Sequence, residues 1–159
     1  MQAISITASD VRSLDEFPLR WRWTQSSHAL FPEHELKLLI PLTSATAVRV
    51  CQLSAALCGR NGLHTEVLIN IVESDARQEE PARAWLAALP VSRDTQVIVS
   101  WDRATALMLP WWLFVCRWDD FCYPAADDVT VLPINGGWLL VYFHFELLQW
   151  GRTTAPAHQ

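Results

Sequence analysis

The sequence predicts a single α+β domain in which a mostly antiparallel sheet of four or five strands carries three or four helices, chiefly on one face. Three observations lead to this expectation. Short β-branched or alternating segments recur along the chain, segments with an apolar helical stripe separate them, and an Asn-Gly pair joins two apolar segments near the C-terminus. The 159 residues suit one domain with its own core, expected over residues 1–152, with a flexible tail over 153–159.

The N-terminal third predicts one strand followed by two helices. Residues 19–24 alternate strictly between apolar and polar side chains, which is typical of a half-buried strand with aromatic and basic side chains on opposite faces. A proline and two glutamates then favour the start of a short helix over 33–39. Thr43 or Ser44 is suited to cap a second helix that runs to Cys58 with one apolar stripe.

The middle of the chain predicts a strand, a loop and a helix. Residues 65–72 are rich in β-branched side chains and predict a strand. Residues 73–80 contain four acids and one arginine, a composition that predicts a solvated loop. Pro81 favours the first turn of a helix that continues to Leu89, and Pro90 ends it.

The last third predicts one helix and three strands. Valine and isoleucine predict a strand over 96–101, and an apolar stripe predicts a helix over 110–121. Two further strands, 129–134 and 138–146, flank the Asn-Gly pair, which is the strongest short signal for a hairpin. Pro133 has no N–H to donate to a neighbouring strand, so we expect it at a sheet edge or near the turn.

Charge and cysteine content narrow the classes of function. Twelve Lys and Arg against 17 Asp and Glu give a net charge of −5, which argues against a nucleic-acid binder and suits a basic protein partner. The N-terminus lacks the features of a secretion signal, and no apolar stretch reaches the roughly 20 residues of a membrane helix. The four cysteines fit no zinc spacing, so we expect reduced thiols, at least three of them buried, in a cytoplasmic protein without cofactors.

The motifs of common enzymes are absent from the sequence. The chain contains five glycines and neither a dinucleotide-binding nor a phosphate-binding glycine loop, and no serine lies in a nucleophile elbow. His34 and Glu35 begin like a zinc-protease motif, but Leu38 stands where the second histidine is needed. We therefore predict that the protein is not an enzyme.

Residues 118–128 form the most unusual stretch, with four carboxylates, three aromatic side chains and no basic residue. At the C-terminal end of the predicted helix, Asp119 and Asp120 oppose the helix dipole at about 0.3–1 kcal/mol per charge, so an internal arginine or an external cation must compensate them. Asp127 and Asp128 follow immediately before a strand. A solvated loop, a surface that binds a partner, and a metal or catalytic site are all consistent with this composition.

The strand predicted over 138–146 has two different faces. One face is uninterruptedly apolar and is expected in the core: Leu139, Val141, Phe143, Phe145 and Leu147. The other face ends in His144 and Glu146, where a carboxylate two residues from a histidine can orient the imidazole ring. Because the hairpin turn is tight, we expect Glu146 beside Asp127 and Asp128, so that the two acidic features form one patch.

Two parts of the chain carry a resemblance to a known class of proteins. Residues 19–42 contain the Trp-rich segment and a Glu-Leu-x-x-x-Ile-Pro-Leu sequence, and residues 101–152 contain Trp118-x-x-Phe121, the acidic-aromatic turn and the closing hairpin. In these features the chain resembles small bacterial immunity-type proteins of contact-dependent or type VI toxin systems. The resemblance implies an inhibitor that acts by binding and has no catalytic residues.

The leading hypothesis is an immunity protein that neutralises a cognate basic toxin by covering its active site. An acidic surface speeds association with a basic partner, and desolvated aromatic side chains supply affinity. The predicted partner-binding residues are Asp119, Asp120, Tyr123, Asp127, Asp128, His144 and Glu146. One alternative is an adaptor protein of unknown partner. The other is a small hydrolase or metal-dependent enzyme that uses Asp119, Asp120, Asp127, Asp128 and His144.

Overall fold

In the computed structural model, which describes residues 3–153, the chain folds around one large sheet. The helices are α1 (Trp21–Thr24), α2 (Glu33–Leu36), α3 (Ser44–Ala55), α4 (Glu79–Ala88), α5 (Trp111–Cys116) and α6 (Trp118–Phe121). The strands are β1 (Ile40–Pro41), β2 (Cys58–Gly59), β3 (Gly62–Leu63), β4 (Leu68–Asp75), β5 (Gln96–Ser100), β6 (Ala106–Pro110), β7 (Val129–Pro133), β8 (Trp138–Phe143) and β9 (Leu147–Thr153). Thr153, the first residue of the predicted tail, is buried within β9, and the rest of the tail lies outside the described residues.

Seven strands form the main sheet in the order β1-β6-β5-β7-β8-β9-β4, and every neighbouring pair is antiparallel. The strands β2 and β3 form a separate small hairpin. The α+β class and the antiparallel sheet are confirmed, but the sheet has more strands and the chain has more helices than the sequence predicts. One added strand, β6, forms from the apolar segment before Trp111, and another, β9, follows a turn inside the last predicted strand.

The central strands bury both of their faces. One face packs against α4, α5 and α6 in a core that contains all five buried tryptophans of the described chain. The opposite face packs against α3 through Ala47 and Val50. Strands that are covered on both sides consist of nearly continuous apolar residues, which explains why β5 and β8 show no clear alternation.

Residues 19–24 contain the helical turn α1, so the predicted strand is wrong. Trp23 is fully buried, and its indole N–H donates to the carbonyl oxygen of Asp120 at 3.2 Å. Its neighbour Arg22 is also buried, because its guanidinium forms an ion pair with Asp127. Contacts with distant residues therefore bury two adjacent side chains that strict alternation assigns to opposite faces.

The strand β4 includes Glu73 and Asp75, which lie in the predicted solvated loop. It pairs with β9 and contains a bulge between Ile69 and Val72, where Asn70 adopts a left-handed φ of 53°. A strand at the edge of a sheet tolerates charged side chains, because one of its sides stays in water. The loop prediction is therefore wrong for the residues that complete this edge strand.

The helix predicted over 110–121 is interrupted. At Arg117 the backbone leaves the helical region, with φ −125° and ψ 23°, and the side chain forms an ion pair with Glu35 of α2. A new short helix, α6, begins immediately afterwards. Asp119 and Asp120 consequently lie in the single turn of α6, after the interruption, and the expected opposition to the C-terminal dipole of a long helix is wrong.

The strand predicted over 138–146 ends at Phe143. A turn then reverses the chain, with Glu146 at a φ of 64°, and β9 returns beside β8. Phe145 lies in this turn and is 54% exposed, so its predicted place in the core is wrong. Leu147, also expected in the core, is only half-buried, at the start of β9 opposite Asp75 of the edge strand β4.

The local turn and capping signals are confirmed. The chain turns at Asn135 and Gly136 between β7 and β8, and both Gly136 and Gly137 adopt a positive φ, of 74° and 105°. Pro133 ends β7 beside this turn. Thr43 caps α3, because its hydroxyl accepts a hydrogen bond from the backbone N–H of the third helical residue. The helix α2 begins at Glu33 as predicted. The helix α4 also forms, but it begins at Glu79, before Pro81, so the loop prediction is wrong for Glu79 and Glu80 as well.

The four cysteines are free thiols, but their burial differs from the prediction. Cys122 is buried, Cys51 and Cys58 are half-buried, and Cys116 is exposed. Cys116 is the last residue of α5, at the point where the apolar stripe is interrupted. Within residues 3–153, no helix is both long enough and apolar enough to cross a bilayer.

Candidate binding surface

Asp127 is held inside the protein by Arg22. The guanidinium donates to both carboxylate oxygens, at 2.6 and 3.0 Å, and the two side chains are only 5% and 9% exposed. The same carboxylate accepts the backbone N–H of Tyr123 at 2.9 Å. A bidentate, charge-assisted pair of this kind fixes geometry as well as charge. Asp127 therefore joins α1 to the turn after α6 and is not available to a partner.

Asp119 and Asp120 lie at the surface of α6, and their surroundings differ. Asp119 accepts from the Arg83 guanidinium at 3.4 Å, but Arg83 also binds Glu79 and Glu80 on α4. One arginine is thus shared among three carboxylates. Within residues 3–153, the carboxylate of Asp120 accepts no hydrogen bond and forms no ion pair, although its side chain is half-buried.

This arrangement raises the pKa of both α6 carboxyl groups. The pKa of Asp120 is raised to about 6, and partial burial is the largest cause. The negative charge of Asp119 contributes to this rise and outweighs the opposite effect of Arg117. Burial is also the main cause of the raised pKa of Asp119. At neutral pH both groups carry negative charge that the fold compensates incompletely, and such groups are concentrated at functional sites.

Three partly exposed aromatic rings lie beside these carboxylates. The Trp21 ring centroid is 4.5 Å from that of His28 and 6.1 Å from that of Tyr123. The buried guanidinium of Arg22 stacks beneath the Tyr123 ring at 4.1 Å and therefore fixes its position. Burial raises the pKa of Tyr123, and the nearby charge of Asp120 contributes to that shift. Tyr123 thus lies within reach of the charge of Asp120 and connects the aromatic rings to the α6 carboxylates.

Trp21 and His28 are not among the site residues predicted from sequence. Strict alternation places Trp21 on the buried face of a strand, whereas in α1 it lies at the surface beside Tyr123. The pairing of Arg22 with Asp127 joins residues 105 positions apart, and no local pattern contains this information. We refer to Trp21, His28, Asp119, Asp120 and Tyr123 as the α6 surface.

Asp128 and His144 lie on the opposite side of the sheet end. Asp127 and Asp128 precede β7 and have different surroundings: the carboxylate of Asp127 binds Arg22, whereas Asp128 lies on the side of α3. There Asp128 lines a groove of about 190 Å³ together with Cys51 and Cys58. Its carboxylate accepts from the backbone N–H of His144 at 2.9 Å and contacts the imidazole Nδ1 at the same distance.

Glu146 lies farther away, beside the end of β4. Its carbonyl oxygen accepts the backbone N–H of Ala76 at 2.8 Å, and its side chain lines a groove with Arg77. The carboxylate that contacts His144 is therefore that of Asp128, and the single acidic patch expected from the sequence is divided. Asp119, Asp120 and Tyr123 share one surface, whereas Asp128, His144 and Glu146 lie elsewhere.

The groove beside Asp128 contains a thiol of low reactivity. Burial raises the pKa of Cys58 to about 11, so the thiol in the groove beside Asp128 stays protonated. Among the described residues, no three His, Cys, Asp or Glu side chains are arranged to hold a metal ion.

No protein-family model, curated protein sequence or solved structure matches the chain.

Proposed function

We propose that this protein is an immunity-type binding protein whose α6 surface covers the basic active site of a toxin. The observation that carries the proposal is the half-buried Asp120 carboxylate, which has a raised pKa and no donor within the described residues. A lysine or arginine of a partner supplies the missing positive charge. The energy that folding spends on desolvating Asp120 is then recovered on binding.

Charge and aromatic side chains have separate roles in this proposal. The carboxylates of Asp119 and Asp120 attract a basic partner and raise the association rate, an effect that salt weakens. Trp21 and Tyr123 provide rigid apolar area with little conformational freedom to lose, which is typical of the residues that dominate binding energy. Because Arg22 and Asp127 fix the Tyr123 ring from inside, this surface is ordered before the partner arrives.

Affinity capture from the source organism tests the proposal. The immobilised wild-type protein is compared with Asp119→Asn/Asp120→Asn and with Glu16→Gln/Asp94→Asn, a control that removes the same charge from exposed positions on other elements. We expect the wild type and the control to retain one basic protein, and the α6 variant to retain at least about tenfold less of it. Equal retention by all three proteins, or an acidic partner, contradicts the proposal.

A carboxylate enzyme is the second candidate, and the pKa of Asp120 favours it. A value of about 6 also suits a general acid that works near neutral pH. The cluster proposed for catalysis loses Asp127 to its ion pair with Arg22 and is divided between two sides of the sheet. Under the binding proposal, Ca²⁺ or Mg²⁺ leaves the melting temperature unchanged. An increase of several degrees at micromolar metal favours the enzyme instead.

A further inference from the structure

The strand β4 leaves a long edge of the main sheet without a neighbour in the described part of the chain. The sheet has two terminal strands, of which β1 has two residues and β4 has eight. Within residues 3–153, β4 pairs only with β9. A second row of its backbone N–H and C=O groups therefore faces away from the sheet, as in any terminal strand.

Apolar side chains are concentrated around this edge. Ile69 and Val72 of β4 are 47% and 43% exposed, and Phe145 of the following turn is also exposed. These three are a majority of the five large apolar side chains that are exposed in the described chain. Phe145 also lines a groove of about 410 Å³ with Glu73 and Asp75. Clustered apolar side chains beside an unpaired edge are typical of a site for another chain.

The charge at this edge is acidic. Glu73, Asp75 and Glu146 all border the groove. The one guanidinium that lines it, that of Arg77, donates to both carboxylate oxygens of Asp75, at 3.0 Å to Oδ1 and 2.5 Å to Oδ2. Arg152 lies opposite the N-terminal part of β4, on the other side of the bulge. The regular part of the strand after the bulge therefore carries a net negative charge.

We infer that β4 accepts an extended segment of a partner protein in which basic and apolar residues alternate. The segment pairs with the backbone from Val72 to Asp75. On one face of the sheet its apolar side chains pack against Val72, and on the other face its lysines or arginines lie beside Glu73 and Asp75, in the groove that Phe145 also lines. Main-chain hydrogen bonds supply affinity and alternate side chains supply selectivity. A second copy of this chain fits less well, because it brings Glu73 and Asp75 of both copies into one short interface.

Titration of the ¹⁵N-labelled protein with a synthetic peptide tests this inference independently of the α6 surface. The probe is acetyl-Lys-Val-Lys-Val-Lys-Val-amide, and the comparison peptide has glutamate in place of lysine. At about 1 mM of the basic peptide we expect the amide resonances of residues 72–75 to shift and their hydrogen exchange to slow by about tenfold. The acidic peptide is expected to produce neither effect.

Two variants at exposed positions serve as test and control. Val72→Lys places a positive charge on the edge and is expected to abolish binding of the basic peptide, whereas Leu30→Lys makes the same change at another exposed site and is expected to leave binding intact. Glu73→Gln/Asp75→Asn weakens binding at least about threefold if charge selects the partner. Equal binding of both peptides, shifts confined to residues 119–128, no binding, or self-association that Val72→Lys abolishes contradicts the inference.

Discussion

Asp127 and Asp120 belong to the same short acidic stretch and are both partly or fully buried, yet their surroundings are opposite. Asp127 is buried and accepts two hydrogen bonds from Arg22 and one from the backbone of Tyr123. Asp120 is half-buried and accepts no hydrogen bond within the described residues. One carboxylate is fully compensated by the fold, and the other is not. The difference separates a carboxylate that holds the structure together from one that is available to a partner.

The largest expected loss of stability follows from removing the internal ion pair between Arg22 and Asp127. Asp127→Asn leaves Arg22 buried with an uncompensated charge, and we expect the free energy of unfolding to fall by about 3–5 kcal/mol. Urea denaturation measures this change. In the control variant Asp128→Asn, an exposed carboxylate is removed and the change is expected to stay below about 0.5 kcal/mol. Similar values for the two variants indicate that the Arg22–Asp127 pair is not structural.

Thiol reactivity reports on the same internal region. Cys122 is buried beside Asp127, and burial raises its pKa well above the usual value, whereas Cys116 is exposed. We expect Cys116 to react with a bulky thiol reagent at the rate of an exposed thiol. Cys122 is expected to react about a thousandfold more slowly, because it must wait for the structure to open. Mass spectrometry of the labelled peptides measures both rates, and equal rates contradict the internal position of Cys122.

The raised pKa of Asp120 predicts a smaller change in stability, which depends on pH. Its folded-state pKa of about 6 lies above the unfolded value near 3.8, so the folded state binds the proton more tightly. Stability from this group is present below about pH 4 and is lost as the pH rises through 6. With allowance for solvent screening of a half-exposed group, Asp120→Asn should stabilise the protein by about 1 kcal/mol at pH 7.

The control for this prediction is the same comparison at pH 3.5. There the wild-type carboxyl is protonated in the folded state and mostly protonated in the unfolded state, so the difference between Asp120→Asn and the wild type is expected to become small. Urea denaturation at the two pH values measures it. A variant that is more stable by the same amount at both pH values shows that the gain does not come from the charge of Asp120.

The sequence predicts those structural features that depend on neighbouring residues, and these include the hairpin turn and the starts of helices. The Asn135-Gly136 turn forms because glycine readily adopts positive φ, and Thr43 caps α3 with an atom only a few residues away. The α+β class follows from such local signals. The added strand β6 does not follow from sequence, because a strand covered on both faces lacks the alternation that identifies β-structure. The strand β9 is missed because the turn at residues 144–146 has no Asn-Gly signal.

The candidate site depends on contacts between distant residues, and the sequence predicted it only in part. Composition alone indicates Asp119, Asp120 and Tyr123. The expected opposition of the two aspartates to the dipole of a helix C-terminus is wrong, because the helix is interrupted at Arg117. The burial of Asp127 depends on Arg22, 105 positions away. No period or spacing in the sequence connects these two residues.

We propose that the α6 carboxylates serve a partner and not the fold. Urea denaturation of Asp119→Asn/Asp120→Asn at pH 7 distinguishes these two roles, with Glu16→Gln/Asp94→Asn as the control of equal charge. We expect the free energy of unfolding of the α6 variant to stay within about 1 kcal/mol of the wild type, because the relieved repulsion and desolvation offset the lost contact with Arg83. A loss of several kcal/mol in this variant alone contradicts the claim, because it shows that Asp119 and Asp120 stabilise the fold.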